Sequence, residues 1–260
     1  MAESRQSHVI ISPHFDDGVF SCGGMAHQLR RAGHSVIIVT MMGGVREGAA
    51  PDTPILRDLL RRWQAGGDPL RHRQREDERA AQALGVEYSH IPLTDCVYRA
   101  VDGMALYPSE ASLFGEVHAA DFAPRLLRGI GVPQISQSIT VYLPLAVGNH
   151  VDHQIVLDWG LSQIAENPGR WAVRFYAEYP YSNADKSTEI ALDALGMALR
   201  PADFALGEVD MRAKLAAIAC YESQISTFWQ DLRDMEADVR RAFTDPQTGA
   251  YVEGLWQPAS

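Results

Sequence analysis

Five short apolar runs, rich in valine and isoleucine and separated by amphipathic stretches, constrain the fold more than any other feature of this sequence. They are His8 to Ser12 (HVIIS), Ser35 to Met41 (SVIIVTM), Val86 to Leu93, Ser138 to Leu145 (SITVYLPL) and Trp171 to Tyr176. Runs of this kind read as buried strands, and parallel strands need long crossovers, usually helical. Helices fit between them. Val19 to Ala32 stops at Gly33 and Arg71 to Leu84 stops at Gly85, glycine being a good helix terminator. Val151 to Ala165, Met211 to Gln224 and Phe228 to Phe243 also read as helical. The alternation predicts an α/β, Rossmann-like fold, a mostly parallel sheet with helices on both faces. No linker, repeat or low-complexity tract divides the 260 residues, so a single domain over 1–260 is expected. Residues 43–70 carry Gly, Pro and mixed charge and predict a long excursion holding one helix, of the sort that covers sites. Ala250 to Pro258 predicts an edge strand.

Charge narrows the partners. The chain has 23 Lys+Arg against 33 Asp+Glu, a formal net charge of −10, which repels phosphate backbones and anionic headgroups. Neither nucleic acid nor membrane is an expected partner, and no apolar run approaches the ~18 residues of a span. The polar start MAESRQSH lacks the plan of a secretory leader. Cys22, Cys96 and Cys220 are odd in number and far apart, which fits a reducing compartment and small core residues rather than disulfides. A cytoplasmic location is therefore expected; oligomeric state is not readable.

The first run ends at Ser12, and Pro13, His14, Phe15, Asp16 and Asp17 follow at once. In parallel sheets ligands sit beyond the carboxyl ends of strands, commonly where strand order reverses. His14 and Asp17, three apart where a helix begins, share one face, which is metal-ligand spacing. A carboxylate at a helix N-terminus also stays ionised, while Asp16 points elsewhere. The fourth run ends at Leu145, and past a glycine-containing loop come His150, Val151, Asp152 and His153, again two histidines three apart at a strand-to-helix junction. By composition His-x-Asp-Asp arises in roughly one such chain in fifty, and His-x-x-His in roughly one in three or four. The weight lies in both clusters falling just past strands expected to be neighbours. Spacing alone leaves open a capped helix start with solvated carboxylates at the first cluster and a hydrogen-bonded surface helix start at the second.

These residues resemble the LmbE-like (PIG-L) family of zinc-dependent N-deacetylases, whose motifs are Pro-His-x-Asp-Asp and His-x-x-His. Arg73 to Gly85 (RQREDERAAQALG), Asp95 to Arg99 (DCVYR), Gly148 to His153 (GNHVDH) and Lys214 to Phe228 (KLAAIACYESQISTF) are also similar to that family, so the resemblance spans nearly the whole chain. It implies that His14, Asp17 and His153 hold Zn2+, or another divalent metal, since His and Asp ligands suit several. It further implies Asp16 as general base and His150 as oxyanion stabiliser, with Asp152 expected to orient His150. The commoner first motif reads Pro-His-Pro-Asp-Asp-Glu. Phe15 and Gly18 replace the second Pro and the Glu here, which predicts a differently shaped pocket wall.

The chemistry of the residue types agrees. Three protein ligands leave a zinc position open, as catalytic sites require; zinc then acidifies water and polarises an amide carbonyl. A carboxylate beside that water takes its proton and returns it to the departing amine. Arg73, Asp95, Tyr98 and Arg99 around the third run, and Glu178 past the fifth, are candidate contacts to a polyhydroxylated substrate, although surface salt bridges explain such charges equally well. Gly43 and Gly44 lack a full phosphate-loop pattern and read as a turn. His27, His34, His72, His90 and His118 read as surface or core residues. The resulting expectation is a hydrolase removing an N-acetyl group from a small amino sugar or sugar conjugate. The rivals are a zinc hydrolase of another amide or ester and, in a different class, a non-catalytic metal- or nucleotide-binding protein, which would have no use for a spare base such as Asp16.

Overall fold

A computed structural model describes residues 5–46, 48–63, 67–136 and 138–259; the start of the polar N-terminal stretch and part of the 43–70 excursion lie outside the described residues. In chain order the elements are β1 (Ser7–Ser12), α1 (Asp17–Arg31), β2 (Ser35–Thr40), α2 (Pro54–Trp63), α3 (Pro69–Leu84), β3 (Glu87–His90), β4 (Ala100–Val101) and β5 (Met104–Ala105). Then follow α4 (Glu110–Leu113), α5 (Ala123–Leu127), β6 (Ile139–Pro144), α6 (Val151–Glu166), β7 (Ala172–Tyr176), α7 (Ser187–Leu195), β8 (Leu199–Pro201) and β9 (Phe204–Leu206). The chain finishes with α8 (Glu208–Ile218), α9 (Glu222–Phe228), α10 (Leu232–Ala242), β10 (Tyr251–Glu253) and β11 (Leu255–Pro258).

Seven strands form the central sheet in the order β3-β2-β1-β6-β7-β11-β8. The first five run parallel, with Ser7 in register with both Ser35 and Ile139. The chain leaves β1 toward β2 and β3, then returns to the other side of β1 at β6. Strand order thus reverses between β1 and β6, and the crevice beyond their carboxyl ends is where such folds bind ligands. All six residues of β1 are buried. Its side chains alternate between two cores: Ile10 packs with Phe20 and Met25 on one face, Val9 and Ile11 with Val156 and Trp159 on the other. Helices accordingly cover both faces, and each buried Ile or Val stabilises the sheet by roughly 1.5–3 kcal/mol.

Two expectations at the C-terminal end are corrected. The helix expected to run from Met211 to Gln224 is two helices, α8 and α9, broken at Tyr221, whose hydroxyl lies 2.6 Å from Asp77 Oδ1 and 2.9 Å from the Phe15 carbonyl oxygen. The expected edge strand is also not one. Tyr251–Glu253 pairs with β9 in a separate two-stranded sheet, while β11 inserts between β7 and β8, leaving β8 at the edge. That diversion brings the Glu253 carboxylate to the middle of α1, where it accepts from the Gly24 and Met25 amides at 2.9 and 2.8 Å. Lys214 Nζ, fully buried, donates to Glu253 Oε1 at 2.6 Å and to the Ser21 carbonyl at 3.1 Å.

Among the described residues the 43–70 excursion holds one whole helix, α2, and the first residues of α3. Gly44 packs so closely on the segment after β3 that a Cβ would lie 2.7 Å from the Pro92 carbonyl carbon, and its amide donates to the Leu93 carbonyl at 2.7 Å. None of the helices among the described residues is long and apolar enough to cross a membrane.

Candidate active site

The turn after β1 is tied by its own side chains. Ser12 Oγ accepts from the Gly18 amide at 2.8 Å, and Asp17 Oδ2 accepts from the His14 amide at 2.8 Å. A Cβ at position 18 would sit 3.1 Å from Ser12 Cβ and Oγ and 3.3 Å from Ile38, so glycine answers a tight helix-to-sheet contact. Phe15 is buried in the core, edge-on to the His90 ring at 5.3 Å. Neither residue lines the cavity described below, although the Arg73 guanidinium, which does, lies over the Phe15 ring at 5.5 Å.

The second cluster rides on the turn after β6. Ala146, Gly148 and Asn149 all adopt left-handed backbone, at φ of 58°, 82° and 63°. At Gly148 a Cβ would also crowd the Tyr181 ring at 3.2 Å. His150 caps α6, its Nδ1 accepting from the Asp152 amide at 3.3 Å, and His153 follows one turn later, fully buried.

Three donor atoms from the two clusters then converge. His14 Nδ1, His153 Nε2 and Asp17 Oδ2 form a triangle with edges of 3.3, 3.4 and 3.3 Å. Those lengths match the ligand–ligand edge of about 3.3–3.4 Å for a tetrahedral ion with bonds near 2.0–2.1 Å. Each histidine turns its other nitrogen to a buried carboxylate: His14 Nε2 to Asp152 Oδ2 at 3.0 Å, His153 Nδ1 to Glu178 Oε1 at 2.9 Å. Carboxylate partners of this kind fix the tautomer and leave the inward nitrogen with its lone pair, the usual backing of metal-binding histidines. Asp16, Asp17, Asp95, Asp152 and Glu178 are all buried around the cluster, and Arg73 and Arg99 are the fixed cations among them. Without a metal, burial would lower both histidines, but the carboxylates outweigh it: His14 is raised well above its ordinary pKa and His153 to about 9. The residues present fit a divalent cation, whose charge would replace those protons.

The remaining expected residues divide. Asp16 Oδ1 accepts from Arg73 Nη2 at 3.1 Å, and burial raises its carboxyl despite that guanidinium. Asp16, Arg73, Asp95 and His150 line a cavity of about 200 Å³ over the cluster. Asp152, expected to orient His150 through its side chain, instead gives its carboxylate to His14, the Cys96 amide and Arg99; only its backbone amide serves His150. Arg99, expected at substrate, lies 1% exposed between Asp152 and Asp121. Glu178 is fully buried behind His153 and also accepts from the Leu145 and Val147 amides, and Tyr98 does not line the cavity. Residues unnoticed in the sequence complete the wall: Trp63, stacked on Arg73 at 4.9 Å, Phe114, 5.4 Å from the His150 ring, and Tyr181, edge-on to His153 at 5.6 Å. Aromatic residues in a helix or loop carry no mark that separates a cavity wall from a core, so only Trp63's place in the excursion hinted at this.

Residues 9–163, which hold both clusters, match the PIG-L family, described as GlcNAc-PI de-N-acetylase. The 2'-N-acetylparomamine deacetylase of Niallia circulans is 30% identical over 200 residues, 70% of this chain and 70% of its own length. That of Streptomyces fradiae is 28% identical across 98% of this chain and 91% of its own. Among solved structures, a deacetylase–teicoplanin complex shares the fold, with a TM-score of 0.75 at 22% identity over 97% of each chain. The chain belongs to the PIG-L family.

Proposed function

We propose that this protein is a metal-dependent N-deacetylase of an amino sugar or sugar conjugate, with His14, Asp17 and His153 holding the metal, zinc by resemblance to the family. The observation that carries this reading is the triangle of two imidazole nitrogens and one carboxylate oxygen, with the carboxylate of Asp16, outside the triangle, next to Asp17 and two residues from His14. A binding protein needs the triangle but has no use for Asp16. The relatives named as 2'-N-acetylparomamine deacetylases support the amino-sugar part.

When bound, a divalent cation supplies Lewis acidity, polarising an amide carbonyl and making water a stronger acid. Arg73 pins Asp16 Oδ1, which directs Oδ2 to accept a proton from the attacking water. The hydroxide adds to the acetyl carbon, the C–N bond breaks, and Asp16 returns its proton to the leaving nitrogen, giving acetate and a free amine. Burial first lowers the His150 pKa well below its ordinary value, and without a metal the neighbouring His14 and His153 add to that, so His150 is read as a neutral donor. Its Nδ1 accepts from the Asp152 amide, so the proton sits on Nε2, which lies 3.8 Å from Cys96 Sγ and is the donor we assign to the developing oxyanion. A donor in that role contributes about 3–4 kcal/mol. Arg73 and Asp95 orient substrate hydroxyls.

The test is release of amine and acetate by the metal-loaded protein from a panel of N-acetyl sugars and N-acetyl peptides. Turnover of sugars above peptides is expected; no turnover of any N-acetyl sugar would refute the reading.

A further inference from the structure

Three consecutive carbonyls run through the turn that carries the proposed base. The His14 carbonyl accepts from Ser12 Oγ and the Asp16 carbonyl from the Phe20 amide at 2.8 Å, both partners lying within the turn and the helix it opens. The Phe15 carbonyl, in the peptide that joins Phe15 to Asp16, takes its partner from 206 residues away, the Tyr221 hydroxyl at 2.9 Å. That hydroxyl also lies 2.6 Å from Asp77 Oδ1, and Asp77 Oδ2 takes Thr40 Oγ1 at 3.1 Å and His90 Nε2 at 2.8 Å. Asp77 thus binds the ends of β2 and β3 to the break between α8 and α9, and Tyr221 passes that hold to the turn after β1.

The place of Tyr221 is set by α3. Arg73, Glu76 and Asp77 share one face of that helix, at spacings of three and four, and all three are buried. Arg73 Nη2 grips Asp16 Oδ1 at 3.1 Å, and its guanidinium covers the Phe15 ring. Glu76 accepts from the Ser223 amide at 2.8 Å and from Ser223 Oγ at 2.6 Å, which fixes the start of α9 and with it Tyr221. One helix therefore reaches Asp16 twice, at its carboxylate through Arg73 and at its backbone through Tyr221.

A buried phenol has a single proton to place, and Asp77 alone would satisfy it. The second contact, to Phe15, does nothing for the tyrosine that Asp77 does not already do. What it restrains is the peptide carrying Asp16. The Tyr221 ring packs edge-on to Phe20 at 5.5 Å, a contact that phenylalanine would keep, so the hydroxyl can be tested apart from the ring.

We infer that Tyr221 is a positioning residue for Asp16, its hydroxyl holding the Phe15–Asp16 peptide so that the carboxylate meets the attacking water. The inference rests on the deacetylase reading for what Asp16 does, and adds what keeps it in place.

The experiment measures kcat and KM of the metal-loaded wild type, Tyr221→Phe and Asp77→Asn on the N-acetyl sugar that the wild type turns over fastest. Misplacing a reacting group by about 1 Å costs about 100-fold, so Tyr221→Phe should lower kcat about 10- to 100-fold. KM and metal content should stay within about twofold, as expected for a group that acts only on the reacting step. Asp77→Asn keeps the hydroxyl and an oxygen to receive it, so its loss in kcat should be smaller. Equal losses in the two variants would place the effect in the buried charge and overturn the inference, as would an unchanged kcat in Tyr221→Phe. If Tyr221→Phe does not fold, Tyr221→Phe/Asp77→Asn takes its place, since it leaves no buried carboxylate without a partner. If the wild type turns over no N-acetyl sugar, the deacetylase reading fails, and hydrogen exchange decides the clamp alone. Amides of residues 14–18 should then exchange about tenfold faster in Tyr221→Phe while those of α6 do not, and equal rates overturn the inference.

Discussion

Asp152 Oδ2 stands 3.0 Å from His14 Nε2 across 138 residues of sequence, while the other oxygen of the same carboxylate takes the Arg99 guanidinium. Despite its burial, Arg99 and His14 hold this carboxyl well below the usual carboxylate range, so it remains a charged partner for the imidazole. Replacing it by the amide should leave the fold but remove the charge that backs His14. Asp152→Asn is expected to weaken metal affinity about 10- to 100-fold, measured by competition with a chelator. Unchanged affinity would detach Asp152 from the metal site.

Asp16→Asn tests a different step. The amide is nearly isosteric, can keep the contact to Arg73, and cannot accept a proton. Full metal content by elemental analysis should accompany a loss of about 10²- to 10⁴-fold in kcat. Wild-type turnover in a fully loaded variant would move the base elsewhere.

The buried pair Lys214–Glu253 predicts a stability effect far from the chemistry. Burial lowers the Lys214 pKa even with Glu253 beside it, so its charge depends on that partner. Lys214→Met leaves a buried carboxylate without its cation and should cost about 3–5 kcal/mol in urea unfolding, with Lys214→Met/Glu253→Gln recovering part of the loss. A loss under about 1 kcal/mol would mean the pair is replaceable by packing alone.

His8 sets an acid limb of stability. Burial, then repulsion from His34, lowers its pKa to about 4, and its Nε2 has no hydrogen-bond partner. Unfolded, the same group titrates near 6.5. Between these values the unfolded chain binds a proton that the folded chain refuses. Stability from His8 is therefore complete above about pH 6.5, falls as the pH drops through that window, and levels off below about 4. The loss should be about 1–3 kcal/mol, and His8→Leu should flatten it in unfolding series run at pH 7, 5.5 and 4.5. The same slope in the variant would assign the effect to other groups.

Both histidine clusters are legible in the sequence because their geometry is local: three-residue spacings at strand-to-helix junctions survive any tertiary arrangement. The strands around β1 are legible for the same reason, but their order is not, because the chain crosses from β3 back to β6 through residues 91–138. What backs the site is not local. Glu178 and Asp152 sit 25 and 138 residues from the histidines they hold, and a carboxylate in a one-dimensional string does not show which imidazole it will meet. Arg99 looks like a substrate contact until two carboxylates are seen to enclose it. The break at Tyr221 is likewise decided by a hydroxyl finding Asp77 from 144 residues away, against a helical pattern that reads straight through.

Glu253 accepting from the amides of Gly24 and Met25 ties a helix to a segment made 229 and 228 residues after those amides. Until that carboxylate arrives, α1 has two mid-helix amides without this partner and Lys214 lacks its counter-charge. The helix that begins at Asp17 therefore reaches its final state only after synthesis has passed residue 253, and a nascent chain stalled short of that point should hold the cluster residues without yet holding them in place.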